Sequence, residues 1–152
     1  MSNLRIRIYM SHAWSGFEYT DTVESWIFGQ TWTIEKKAIE FRNYHIPSNH
    51  EIHGIEDDNL LKRGIAQMIK QTHLVFLPIE SPDQYTRWVS REILIARSLG
   101  KPILVLNPSA EQNLNTLAKK AATRQVLWDQ GALITAIWDM YELSQKIGRK
   151  AS

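Results

Sequence analysis

Along Leu4-Arg5-Ile6-Arg7-Ile8-Tyr9-Met10-Ser11 polar and apolar positions alternate and then turn apolar, the pattern of a first β-strand. It ends in a polar loop, Ser11-His12-Ala13-Trp14-Ser15-Gly16, with one ring inside it. From Tyr19 to about Gln30, Val23, Trp26 and Ile27 recur at helical spacing, with Asp21 near the start. Thr31 to Lys37 has no clear period and reads as a helix end or a loop. Ala38-Ile39-Glu40-Phe41-Arg42 alternates again, a second and short strand. A long polar stretch through Asn43-Tyr44-His45-Ile46-Pro47-Ser48 leads to Asp57 or Asp58, which caps a helix striped by Leu61, Ile65, Met68 and Ile69.

The second half of the chain is more apolar. Leu74 to Ile79 has no alternation, as expected of a central parallel strand covered on both faces. A helix from about Tyr85 follows, with Val89, Ile93 and Ala96 as its packing stripe and Gly100 as its stop. Pro102 to Leu106 is a fourth apolar strand, Leu114 to Ala122 a modest helix, and Arg124 to Trp128 a weak fifth strand. A last helix spans about Gln130 to Lys146, carrying Leu133, Ile134, Ile137 and Tyr141. Strands alternating with helices predict an α/β fold: a flavodoxin-like three-layer sandwich on a five-stranded parallel sheet of order 2-1-3-4-5. Residues 1–147 form one domain, and 148–152 read as a frayed basic tail.

Composition narrows the function. The 152 residues suit a single core, and the formal charge of 18 − 16 = +2 gives no pull toward nucleic acid or a membrane surface. With no cysteine, disulfides, thiolate nucleophiles and Cys-held metals are excluded. Arg5 and Arg7 interrupt the apolar stretch a signal peptide would need, and no apolar run approaches the ~20 residues of a membrane helix. A cytoplasmic protein is the expectation.

In an open α/β sheet, ligands bind beyond the carboxyl ends of the strands. There the loops after the first three strands would gather Ser11, His12, Trp14, Asn43, Tyr44, Trp88 and Glu92, rings mixed with a few polar groups. Trp88 and Glu92, four apart, share a helix face and would look away from the main core. Glu92 is the one good candidate for a charged catalytic group. A plainer reading stands beside it: a Glu in the first turns is favoured by the helix dipole, and Trp88 caps the core. No G-x-G-x-x-G follows the first strand, and neither a G-x-x-x-x-G-K-[ST] loop nor a G-x-S-x-G elbow occurs. His45, His50 and His53, with Glu51 and Glu56, match no metal-ligand spacing and read as solvated loop, so no metal is expected.

Four segments in order resemble one family. They are Ile8-Tyr9-Met10-Ser11-His12-Ala13-Trp14, Phe41-Arg42-Asn43-Tyr44-His45-Ile46-Pro47, Trp88-Val89-Ser90-Arg91-Glu92-Ile93 and Gly100-Lys101-Pro102-Ile103-Leu104-Val105. Together the chain resembles the TIR-like domains of bacterial Thoeris anti-phage defence (ThsB-like), with His45 where a Ser is more usual. The resemblance implies a TIR-like fold and, in active members, cleavage of NAD at the nicotinamide ribosyl bond. NAD is then a substrate and no cofactor is required. It also implies Glu92 as the catalytic residue and Ser11, His12, Trp14, Asn43, Tyr44 and Trp88 as pocket lining. Self-association through the loop after the second strand, and a cyclic ADP-ribose-derived signal read by a separate nucleotide-sensing effector, follow from the same resemblance. Two other functions fit: a non-catalytic TIR-like assembly module, and a nucleoside deoxyribosyltransferase-like enzyme that also sets a carboxylate against an N-glycosidic bond.

Overall fold

The computed structural model describes residues 4–12, 19–45, 57–78, 87–107 and 122–151. Trp14, the polar loop from Ile46 to Glu56 and all but the last residue of the helix expected at Leu114 to Ala122 lie outside them.

The strands are β1 (Leu4–Met10), β2 (Trp32–Ile34), β3 (Lys37–Tyr44), β4 (Leu74–Pro78), β5 (Ile103–Asn107) and β6 (Arg124–Leu127). The helices are α1 (Thr20–Phe28), α2 (Asp58–Lys70), α3 (Arg87–Ser98) and α4 (Gln130–Ala151). The sheet is six-stranded, in the order β2-β3-β1-β4-β5-β6. The expected five-stranded, all-parallel sheet is therefore corrected by one strand, since β2 pairs antiparallel with β3 at the edge while the other pairings are parallel. The hairpin turns on Glu35 and Lys36, both at positive φ (52° and 67°), as a two-residue type I′ turn demands. Glycine or asparagine usually signals that turn, and neither is present.

Side chains alternate across the sheet and sort into two cores. On one face Ile6, Ile8, Met10, Phe76, Leu104 and Leu106 pack under Val23 and Ile27 of α1 and the Leu133/Ile137 stripe of α4. On the other Tyr9, Val75, Leu77, Ile103 and Val105 meet Leu61, Ile65 and Ile69 of α2 and Val89, Ile93 and Ala96 of α3. Helices thus cover both faces, which is why β4 and β5 are buried at every position. Toward β3 this second face turns polar: Glu40 pairs with Arg5 of the neighbouring β1 and with Arg42 two residues along β3 itself.

Helix ends follow their local chemistry. The Asp57 carboxylate accepts from the N–H groups of Asn59 and Leu60 and so caps α2. Gly100, at φ 69°, lets the Lys101 N–H return to the Ala96 carbonyl and stops α3. At the C-terminus of α2 the Arg7 guanidinium donates to the Gln71 carbonyl, and Lys101 lies 3.5 Å from the Lys70 carbonyl, where the helix dipole favours cations. Burial and these two cations push the His73 imidazole down to about 4. Helix α4 runs to Ala151, so the stretch expected as a frayed tail has a helical backbone. Among the described residues no helix is long and apolar enough to cross a membrane.

Candidate functional site

Strand β1 sends Ile8 and Met10 to one core, and its Tyr9 ring belongs to the other. By the same alternation Ser11, just past the strand, shares the face of Tyr9. Ser11 is still tied to the sheet, its N–H donating to the Phe76 carbonyl of β4 at 3.1 Å. Helix α3 lies over this face, and its buried stripe is Val89, Glu92, Ile93 and Ala96. Glu92 thus corrects an expectation: it does not look away from the core with Trp88 but points inward, fully enclosed at 0% exposure.

An enclosed carboxylate requires donors, and the end of β1 supplies them. The Tyr9 phenol donates to Oε2, the Ser11 hydroxyl to Oε1 at 2.6 Å, and the His12 backbone N–H to Oε2 at 3.0 Å and Oε1 at 3.3 Å. Burial raises the Glu92 carboxyl from 4.5 to about 7, with Ser11, Tyr9, the His12 amide and the Trp88 indole each pulling it back toward the charged form. Burial, and next the Glu92 charge, raise the Tyr9 phenol well above its ordinary value, so it stays protonated and donates. Near neutral pH the carboxyl is therefore poised between its acid and its base form, a state suited to taking up a proton or facing a developing positive charge.

Above the carboxylate the His12 ring stacks on Trp88, centroids 4.7 Å apart and planes at 27°. Ser11, His12, Trp88 and Glu92 are thus brought together at the carboxyl end of β1. Asn43 and Tyr44 are not joined to them by any hydrogen bond among the described residues; Asn43 instead lies 3.2 Å from the His45 ring. Parallel register sets Tyr44 level with Tyr9 and Asn43 level with Ile8, so Asn43 falls on the α1/α4 face, opposite Glu92. Tyr9 was not among the expected site residues. Its signal was weak but present: an inward-facing Tyr needs a partner for its hydroxyl, and it stands two residues before Ser11 on one strand face. Among the described residues no cluster of His, Asp or Glu could hold a metal ion.

Comparison with known proteins places these features in context. Residues 9–113 match the sequence family described as "Thoeris protein ThsB, TIR-like domain". No curated protein sequence matches the chain. Among solved structures it is similar to a 3-dehydroquinate dehydratase-like protein from Bifidobacterium longum, with 10% identity over 92% of this chain and 97% of that one and a TM-score of 0.48.

Proposed function

The chain belongs to the family of Thoeris ThsB TIR-like domains, and we propose that its Glu92 site cleaves NAD and forwards the ADP-ribose as a cyclic signalling nucleotide. The observation that carries this reading is one buried carboxyl, raised to about 7, at the carboxyl end of β1 beside a ring stack. Nicotinamide in NAD is a cationic ring that departs neutral: the C1′–N bond breaks and its electron pair stays on the pyridine nitrogen. The ribose then develops oxocarbenium character, which a carboxylate preorganised in a water-poor site stabilises far better than water does. Capture by a hydroxyl of the same ADP-ribose closes a ring, and the proton it loses passes to Glu92 and on to solvent. Capture by water gives free ADP-ribose instead.

The His12 amide holds the carboxylate in this scheme, joined by Ser11 in the unliganded protein, and Trp88 offers a face for a planar ring. Trp14 and Tyr44 remain proposed lining of the wider pocket; Asn43, on the other face of the sheet, does not, and the loop that begins with it remains the proposed self-association segment. The signal would act on a separate effector in the cytoplasm. The test is nicotinamide release from NAD by purified protein, with and without extract from infected cells. Glu92→Gln is expected to lose about 10²- to 10³-fold. Release that persists in Glu92→Gln overturns the assignment.

One observation favours a second reading. Glu92 is wholly enclosed, as a structural polar tie in a non-catalytic assembly module would be. Self-association without nicotinamide release under any trigger would select that reading.

A further inference from the structure

The two oxygens of Glu92 are not held alike. Oε2 takes the Tyr9 phenol and the shorter contact of the His12 amide, 3.0 Å. Oε1 takes the Ser11 hydroxyl at 2.6 Å and the longer amide contact, 3.3 Å. The donors also differ in freedom. Tyr9 is 1% exposed, its ring packed in the core formed with Val75, Leu77, Val89 and Ile93, so its hydroxyl cannot turn away without opening that core. Ser11 is also buried, at 2% exposure just past the strand, but its hydroxyl turns about a single bond and can leave Oε1 without moving a ring.

We propose that Tyr9 is a positioning residue: its phenol, fixed by the core, pins Oε2 of Glu92 and so aims Oε1 at the reacting group, where a ribose hydroxyl of the substrate replaces the hydroxyl of Ser11. The role of Oε1 rests on the NAD-cleaving reading above; the pinning of Oε2 by Tyr9 does not. The groups facing the carboxylate are the Tyr9 phenol, the Ser11 hydroxyl and the His12 amide from β1 and the turn after it, and the Trp88 indole from the first turn of α3. Since the phenol donates to the charged form, its removal leaves a carboxylate that is harder to ionise.

The test is Tyr9→Phe, which keeps the ring and removes the donor. Glu92 is followed directly by NMR of protein carrying carboxyl-¹³C glutamate, its signal identified by its loss in Glu92→Gln. The Glu92 midpoint is expected to rise by about one to two pH units. Nicotinamide release at pH 7 then falls about five- to fifty-fold through kcat, with KM little changed, and recovers as the pH is raised. A purely structural Tyr9 would not move the midpoint. A midpoint that stays in place in folded Tyr9→Phe overturns the proposal. If Tyr9→Phe fails to fold, 3-fluorotyrosine placed at position 9 alone is a stronger donor, and the midpoint is expected to fall. No movement there overturns the proposal equally. A moved midpoint in a protein that never releases nicotinamide, wild type included, upholds the pinning by Tyr9 and rejects the NAD reading.

Discussion

Glu92 should make the protein less stable as the pH rises, and replacing it should remove that dependence. The unfolded carboxyl ionises near its ordinary 4.5, whereas the folded one ionises near 7. Below both values each state is protonated and the group is neutral in the balance. Between them the unfolded chain has released its proton and the native one has not, so stability falls with rising pH. Above about 7 the loss is complete. A gap of this size corresponds to about 3 kcal/mol, or on the order of 10 °C in melting temperature for a domain of this length. Glu92→Gln keeps the shape and removes the titration. With both oxygens left in place, the hydroxyl of Tyr9 or Ser11 that faces the amide nitrogen need only rotate its proton away to accept from it, and the amide oxygen can still accept from the His12 N–H, so whatever the swap costs does not depend on pH. The assay is urea denaturation of both proteins between pH 4.5 and 8.5. The variant should gain about 3 kcal/mol relative to wild type across that range. His73, held neutral in the fold, weakens both proteins alike in acid and cancels in the difference. A difference that stays flat with pH would refute the reasoning: the hydrogen bonds would then fully offset the burial.

Two further outcomes follow from the backbone. Replacing Glu35-Lys36 by Asn-Gly suits the positive φ angles of the β2–β3 turn and should stabilise the protein by about 1 kcal/mol; a loss of stability in urea would contradict the turn assignment. Asp57→Ala removes the acceptor for two helix N–H groups and should cost about 1 kcal/mol by the same measurement, whereas Asp57→Asn should cost little.

The sequence is most readable where one period dominates. The unbroken apolar runs of β4 and β5 announce strands covered on both faces, and Gly100 announces the end of α3. Strand β2 is hidden for a physical reason. It has three residues, and its turn takes the left-handed conformation at a Glu and a Lys, which give no local sign of it. Gly148 and the basic residues beside it look like a helix end, yet the backbone of α4 continues to Ala151. At the site, the spacing of Trp88 and Glu92 and the Ser11-His12 pair are visible in the chain. The inward turn of Glu92 is not, because a lone Glu next to Arg91 looks like a surface residue. Its burial is explained chiefly by donors eighty and more residues away, and periodicity along the chain carries no record of such distant partners. Tyr9 escapes for the opposite reason, since its ring satisfies the apolar pattern and conceals what its hydroxyl does.

One strand, β1, serves two masters: alternate residues build a core on one side and hold an acid on the other. The charge-handling half of the site is thereby welded to the least deformable part of the fold, because a slip of one residue would turn both sets of side chains the wrong way at once. Drift in this segment is therefore doubly constrained: any exchange at Tyr9 or Ser11 must satisfy the alternation of the strand as well as the grip on the acid.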